Sequence, residues 1–148
     1  MCYAPLLTGK TEEEYRSHFY RRYCSSTIKT FDDIDVRFKK DDFYHVFFES
    51  SDRRGNKDCF SPERAERMDW ISLVLQDCHA HLRVGWHGKS RTHSRNSRVA
   101  LLVDGYVVVI RFTGDKEARF VTAYVASKVP TGSQRMSTYA QIWNSPKW

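Results

Sequence analysis

A chain of 148 residues with 41% hydrophobic and 14% aromatic side chains is the size of one domain and can bury a core without disulfides or a structural metal. Aromatics run from Tyr3 to Trp148, which argues against intrinsic disorder, and no apolar run reaches the roughly 18 residues of a membrane-spanning helix. The net charge of +6 is uneven: residues 1–82 hold 13 Lys/Arg against 15 Asp/Glu, whereas residues 83–148 hold 11 against 3.

The first predicted element is a helix. Thr11 can cap it, Glu14 can reach back to complete a capping box, and Glu12, Glu13 and Glu14 sit at the positive end of its dipole. Tyr15, Phe19 and Tyr23 recur at a spacing of four, so one stripe faces a core. The helix should end near Ser25 and Ser26. Residues 30–42 are charged and read as irregular chain or a weak edge strand. The aromatic run 43–49 reads as a strand, with Phe43, His45, Phe47 and Glu49 on one face and Tyr44, Val46 and Phe48 on the other.

A polar loop around Gly55 follows. Ser61 and Pro62 then announce a second helix, as cap and first helical residue. Ala65, Met68, Ile71 and Leu75 form its apolar stripe, and Arg64 and Arg67 lie near its start. Residues 87–98 read as a long basic loop. Residues 99–103 and 106–112 flank Asp104-Gly105, a preferred pair for a tight hairpin turn, and a third strand covers 118–126. The sum is an α+β domain: an antiparallel sheet, with a β-meander at its C-terminal side, and helices packed on one face. Within one domain, 1–42 is expected as an N-terminal helical arm, 43–126 as the core and 127–148 as a docked tail with Tyr139, Trp143 and Trp148.

The excess of cations after residue 82 suits a polyanion. Lys89, Arg91, Arg95 and Arg98 stand in the segment 87–98 without an acid, where they can neutralise phosphates. Trp86 at its edge can stack on a base. His45, among aromatics, is the candidate general acid or base. Thr122 and Tyr124, two residues apart, place two hydroxyls on one face of the third strand together with Phe120. Cys78, His79 and His81 lack a second ligand pair at zinc spacing, so neither a metal nor another cofactor is expected, and Cys78 is read as buried. Cys2, Cys24, Cys59 and Cys78 form no C-x-x-C, and residues 1–7 lack the pattern of a signal peptide. Free thiols and a cytoplasmic location are the expectation.

Residues from about 43 to 125 resemble the barnase, EndoU, colicin and RelE superfamily of small RNases, in particular its phage-associated branch. The likeness rests on 43–47, on 64–71 and on Phe120-Val121-Thr122-Ala123-Tyr124. It implies a metal-independent endoribonuclease, toxin-like or phage-encoded, that cuts RNA by transesterification to the 2′-hydroxyl. His45, Arg64, Thr122 and Tyr124 match the catalytic set by position. Arg67, Trp86, Lys89, Arg91, Arg95 and Arg98 would bind RNA, whether tRNA, mRNA or rRNA. The second His or Lys of many relatives is matched only loosely by Arg53, Arg54 and Lys57, which leaves His87 or His93 as acid–base partner. An acidic antitoxin or immunity protein would be a fitting protein partner, and no membrane is implied. Two other readings fit the same residues: a non-catalytic nucleic-acid-binding module, and a protein-interaction domain docking through its aromatic tail.

Overall fold

The computed structural model describes residues 5–49, 59–87 and 92–126. Helix α1 (Glu12–Tyr23) starts at the expected capping box: Thr11 Oγ1 accepts from the Glu14 amide at 3.2 Å, and Glu14 accepts from the Thr11 amide at 3.0 Å. Tyr15, Phe19 and Tyr23 are buried, as their spacing requires. The chain then forms two short strands, β1 (Ile28–Lys29) and β2 (Asp35–Arg37), paired antiparallel. The weak strand foreseen within 30–42 is therefore β2, but it is not at the edge: it lies between β1 and β8 of the sheet.

The strand expected over 43–49 is instead mostly helix. Residues Asp42–Phe47 form α2, and only β3 (Phe48–Glu49) is extended, paired with β4 (Cys59–Phe60). Phe43, Val46 and Phe47 stand at i, i+3 and i+4, so a helix buries all three at once. Two of them meet Phe19, at 6.0 Å for Phe43 and 5.6 Å for Phe47 between ring centroids. Period two would have buried Phe43 and Phe47 but turned Val46 away.

Ser61 and Pro62 open a helix as expected, with Ser61 Oγ accepting from the Arg64 amide at 3.4 Å. The helix is broken into α3 (Pro62–Ala65) and α4 (Met68–Gln76), with Glu66 and Arg67 at the joint. Ala65, Met68, Ile71 and Leu75 are all fully buried. After α4 come β5 (His81–His87), β6 (Thr92–Val103), β7 (Tyr106–Gly114) and β8 (Glu117–Val125). The basic segment read as a loop is thus largely strand: β5 was not foreseen, and β6 begins at Thr92. Pairing of Thr92, His93 and Ser94 with β5, and of Arg98 with β7, overrides its polar composition.

The six-stranded sheet has the order β1-β2-β8-β7-β6-β5 and is antiparallel except for β2 beside β8. The α+β class and the C-terminal meander stand as read from the sequence. One face of the sheet (Val99, Leu101, Val108, Ile110, Phe120, Ala123) joins the helices in the main core. The N-terminal helix belongs to that core and is not a separate arm. On the other face Ala100, Leu102, Val107, Val109 and Ala126 form a smaller buried cluster. Among the described residues no helix is long and apolar enough to cross a membrane. Cys24, Cys59 and Cys78 are free thiols, and Cys78, expected to be buried, is exposed. The tail beyond Ala126, with Tyr139, Trp143 and Trp148, lies outside the described residues, as does the polar loop around Gly55.

The β6–β7 turn has Asp104 at φ 53° and Gly105 at φ 87°, a left-handed pair that a β-branched residue resists. The Gly105 carbonyl also accepts from the Ala126 amide at 2.8 Å, tying the end of β8 to the turn. Gly105→Val should therefore destabilise the protein by about 1–2 kcal/mol, read as a lower midpoint in urea. A midpoint equal to wild type would show that this turn does not hold the hairpin.

Candidate active site

The cleft begins with a defect in strand pairing. On β7 and β8, Ile110 faces Phe120 but Val109 faces Thr122, so β8 carries one extra residue, Val121, as a bulge. The bulge reverses the alternation. Phe120 and Ala123 both enter the main core, while Tyr124 packs with Val121 against the smaller cluster. The expected grouping of Phe120 with Thr122 and Tyr124 on one face, and of Val121 with Ala123 on the other, is corrected by this single insertion. Bulges re-aim side chains in this way and are frequent beside functional sites.

β2 pairs with β8 only along Glu117–Arg119. Beyond the bulge, the edge of β8 away from β7 has no partner strand among the described residues. A cleft of about 340 Å³ opens at this edge, lined by Thr122, Ala123, Tyr124 and Val125 from β8, Tyr106 from β7, Glu63 and Arg64 from α3, Arg67 from the helix joint, and Glu49 from β3. Three of the four expected catalytic residues, Arg64, Thr122 and Tyr124, come together here, with the expected RNA-binding Arg67.

The cations are held in place. Arg64 Nε lies 3.2 Å from Glu49 Oε1, and its Nη1 donates to the Val46 carbonyl at 3.5 Å. Arg67 Nη1 donates to the Glu63 carbonyl at 2.6 Å, and its guanidinium lies 5.4 Å from the centre of the Trp70 ring. The Tyr106 hydroxyl donates to the Arg67 carbonyl at 3.4 Å, and burial pushes its phenol far up. Burial likewise pushes Tyr124 up to about 12, so its phenol keeps its proton at any physiological pH. The cleft therefore combines two guanidinium groups and two carboxylates beside the β8 edge, while the Tyr124 ring packs against the smaller cluster on the other face of the sheet.

His45 is not among the residues lining it. The helical turn of α2 carries the imidazole to the exposed side, because Phe43, Val46 and Phe47 take the buried one. Trp86 and His87 fall in β5, and His93 and Arg95 in β6; Arg98, also on β6, is half-buried. Lys89 and Arg91, like Arg53, Arg54 and Lys57, lie outside the described residues. Among the described residues no group of His, Cys, Asp or Glu side chains is placed to hold a metal ion. Glu49 and Glu63 were not singled out in the sequence. The signal for Glu49 was its place just after the aromatic run, where a helical reading of 42–47 would have set it at a turning point of the chain. No protein-family model, curated protein or solved structure matches the chain.

The environment of α2 yields a stability prediction. Asp42 is buried, which pushes its carboxyl up to about 6, with Asp41 adding to the shift and His45 opposing it. Its Oδ2 accepts from the Lys39 amide at 2.8 Å. Between about pH 4, where the unfolded carboxyl titrates, and about 6, the folded state binds more protons than the unfolded one. This contribution is present in acid and is lost as pH rises through 6. Asp42→Asn should thus raise stability at pH 7.5 by on the order of 2 kcal/mol, with a gain that vanishes near pH 4. Urea unfolding of both proteins across this range checks it, and a gain independent of pH would remove the carboxyl as its cause.

Proposed function

We propose that this chain is an endoribonuclease whose cleft at the β8 edge cuts RNA by transfer to the 2′-hydroxyl, without need of a metal. The observation that carries the reading is the convergence of Arg64, Arg67, Thr122 and Tyr124 around Glu49 in one cleft. Arg64 and Arg67 suit the phosphate: their planar, permanently charged groups can bind its oxygens and stabilise the charge that grows on them in the transition state. The Glu49 carboxylate, positioned by Arg64, is the group that would take the 2′-hydroxyl proton as that oxygen attacks phosphorus. The departing 5′-oxygen would take its proton from water, since the Tyr124 ring packs on the other face of the sheet. Thr122 would orient the phosphate by a hydrogen bond.

On this reading the base is Glu49 and not His45, which stands on the exposed side of α2. The exposure of His45 also favours the second reading, a module that binds RNA without cutting it. The two part in a single experiment. Purified protein is incubated with RNA in excess EDTA, and the new ends are analysed. The reading as an enzyme expects 2′,3′-cyclic phosphate or 3′-phosphate ends and an uncut strand wherever the nucleotide 5′ to the scissile bond is 2′-deoxy. Glu49→Gln should slow cleavage by about 10²–10⁴-fold and Arg64→Ala by about 10²–10³-fold, whereas His45→Ala should stay within a few fold of wild type. RNA bound but left intact would support the module; loss of activity in His45→Ala at unchanged stability would return the acid–base role to that residue.

A further inference from the structure

The register of the sheet sets four arginines side by side. Arg98 on β6 faces Arg111 on β7, Arg111 faces Arg119 on β8, and Arg119 faces Arg37 on β2. All four fall on the face turned away from the helices, because their neighbours Val99, Ile110, Ala118 and Val36 enter the main core. Arg37, Arg111 and Arg119 are exposed and Arg98 is half-buried. At the spacing of neighbouring strands, the row crosses three intervals and spans about 14 Å.

Like charges directly opposite one another on neighbouring strands are destabilising, so the row works against the sheet unless an anion offsets it. Among the described residues none of the four makes an ion pair with a carboxylate. The nearest acids by register, Asp35 and Glu117, face each other one pleat further on, and Asp35 lies 3.7 Å from Lys29. Recesses flank Arg119: one of about 520 Å³ shared with Arg98, Arg111 and Thr113 and lined by no acid, the other of about 310 Å³ in which Arg37 and Lys39 are joined by the carboxylates of Asp35 and Glu117. A single small anion would need a cluster of donors; a straight row of evenly spaced cations fits an anion whose charge repeats.

We propose that the row Arg98, Arg111, Arg119 and Arg37 is a track for the sugar–phosphate backbone of single-stranded nucleic acid, with nucleotides seated in the acid-free recess that Arg119 shares with Arg98 and Arg111. The track deepens the reading as an RNase in its ligand, and it needs no cleavage to operate. Contacts to phosphate carry no base preference, so binding along it is sequence-tolerant.

The test uses a labelled 2′-deoxy oligonucleotide of about 12 nucleotides, which transesterification cannot cut, and anisotropy between about 50 and 200 mM salt. R111Q/R119Q should weaken binding by at least about 10-fold at the low-salt end and reduce the slope of log affinity against log salt by about 1.4, or about 0.7 for each lost phosphate contact. Arg37→Gln alone should reduce it by about 0.7. Arg21→Gln, an exposed cation on α1, should leave both within error. The double variant should melt no lower than wild type at low salt, since repulsion is relieved; a clear fall would contradict the strain assigned to the row. Wild-type affinity and slope in both row variants would overturn the track. So would displacement of the oligonucleotide by polyglutamate as readily as by unlabelled strand, which would point to an acidic polypeptide. Salt-dependent binding through the row without any RNA cleavage would sink the catalytic reading and leave the track, whereas cleavage with unchanged binding by the row variants would do the reverse.

Discussion

The packing of Phe19 is the contact on which the other elements depend. From the middle of α1 it meets Tyr23 on its own helix, Phe38 just after β2, and Phe43 and Phe47 on α2. Phe38 in turn stacks on Phe120 of β8, with centroids 4.7 Å apart and planes 24° from parallel. One chain of rings thus joins the first helix to the last strand described. Each buried ring contributes about 1.5–3 kcal/mol from the area it removes from water, and edge-to-face pairs add to that. The cluster also fixes where α2 ends, and so where Glu49 leaves the core for the cleft.

Phe120 is the last ring of that chain and the last β8 residue before the bulge. Because Phe120 is anchored from above by Phe38, the extra residue cannot be absorbed by sliding the strand; it must bulge at Val121. Ala123 then returns to the core, and the strand between them is re-aimed. The second lining wall of the cleft comes from the α3–α4 joint, held from below by the Tyr106 hydroxyl on the Arg67 carbonyl and by Trp70 packed edge-on to Tyr106 at 5.5 Å. The cleft is therefore a by-product of two core decisions, a bulge in one strand and a break in one helix.

These decisions divide what the sequence discloses from what it does not. Thr11 with Glu14, Ser61 with Pro62 and Asp104 with Gly105 were legible because each acts on backbone groups within a few residues of itself. The α2 segment was not, since an aromatic run satisfies both periods and only the position of Phe19 decides between them. The bulge at Val121 leaves no mark in composition; with it, Phe120, stacked on Phe38, and Ala123 both enter the main core from the same side. That Arg64, Thr122 and Tyr124 line one cleft could not be read from the chain, since they stand on two different elements, and Glu49 was hidden by the strand reading that placed it on the face of His45. The arginine row was invisible for a further reason: Arg37, Arg98, Arg111 and Arg119 are scattered along the chain, and strand register alone aligns them.

The row and the cleft share β8, and the bulge stands between them. Arg119 is the residue before Phe120, and Thr122 the one after Val121, so the arginine row and the β8 wall of the cleft lie on one strand within about 10 Å of each other. In a regular strand Arg119, Val121 and Ala123 would share a face, and the row would lead onto apolar side chains. The extra residue brings Thr122 and Tyr124 round in their place, at the point where β2 ends and the edge of β8 becomes free. The row itself continues across the strands from Arg119 to Arg37, so of the residues lining the cleft only Thr122 and Tyr124 share its face, and Arg64 and Arg67 stand on the helix side. Deleting Val121 should therefore restore strict alternation on β8 and keep the arginine row, while Thr122 stays opposite Val109 and Tyr124 opposite Val107. Oligonucleotide binding should survive that deletion in a protein that still folds, because neither the row nor the facing of Thr122 and Tyr124 depends on the inserted residue.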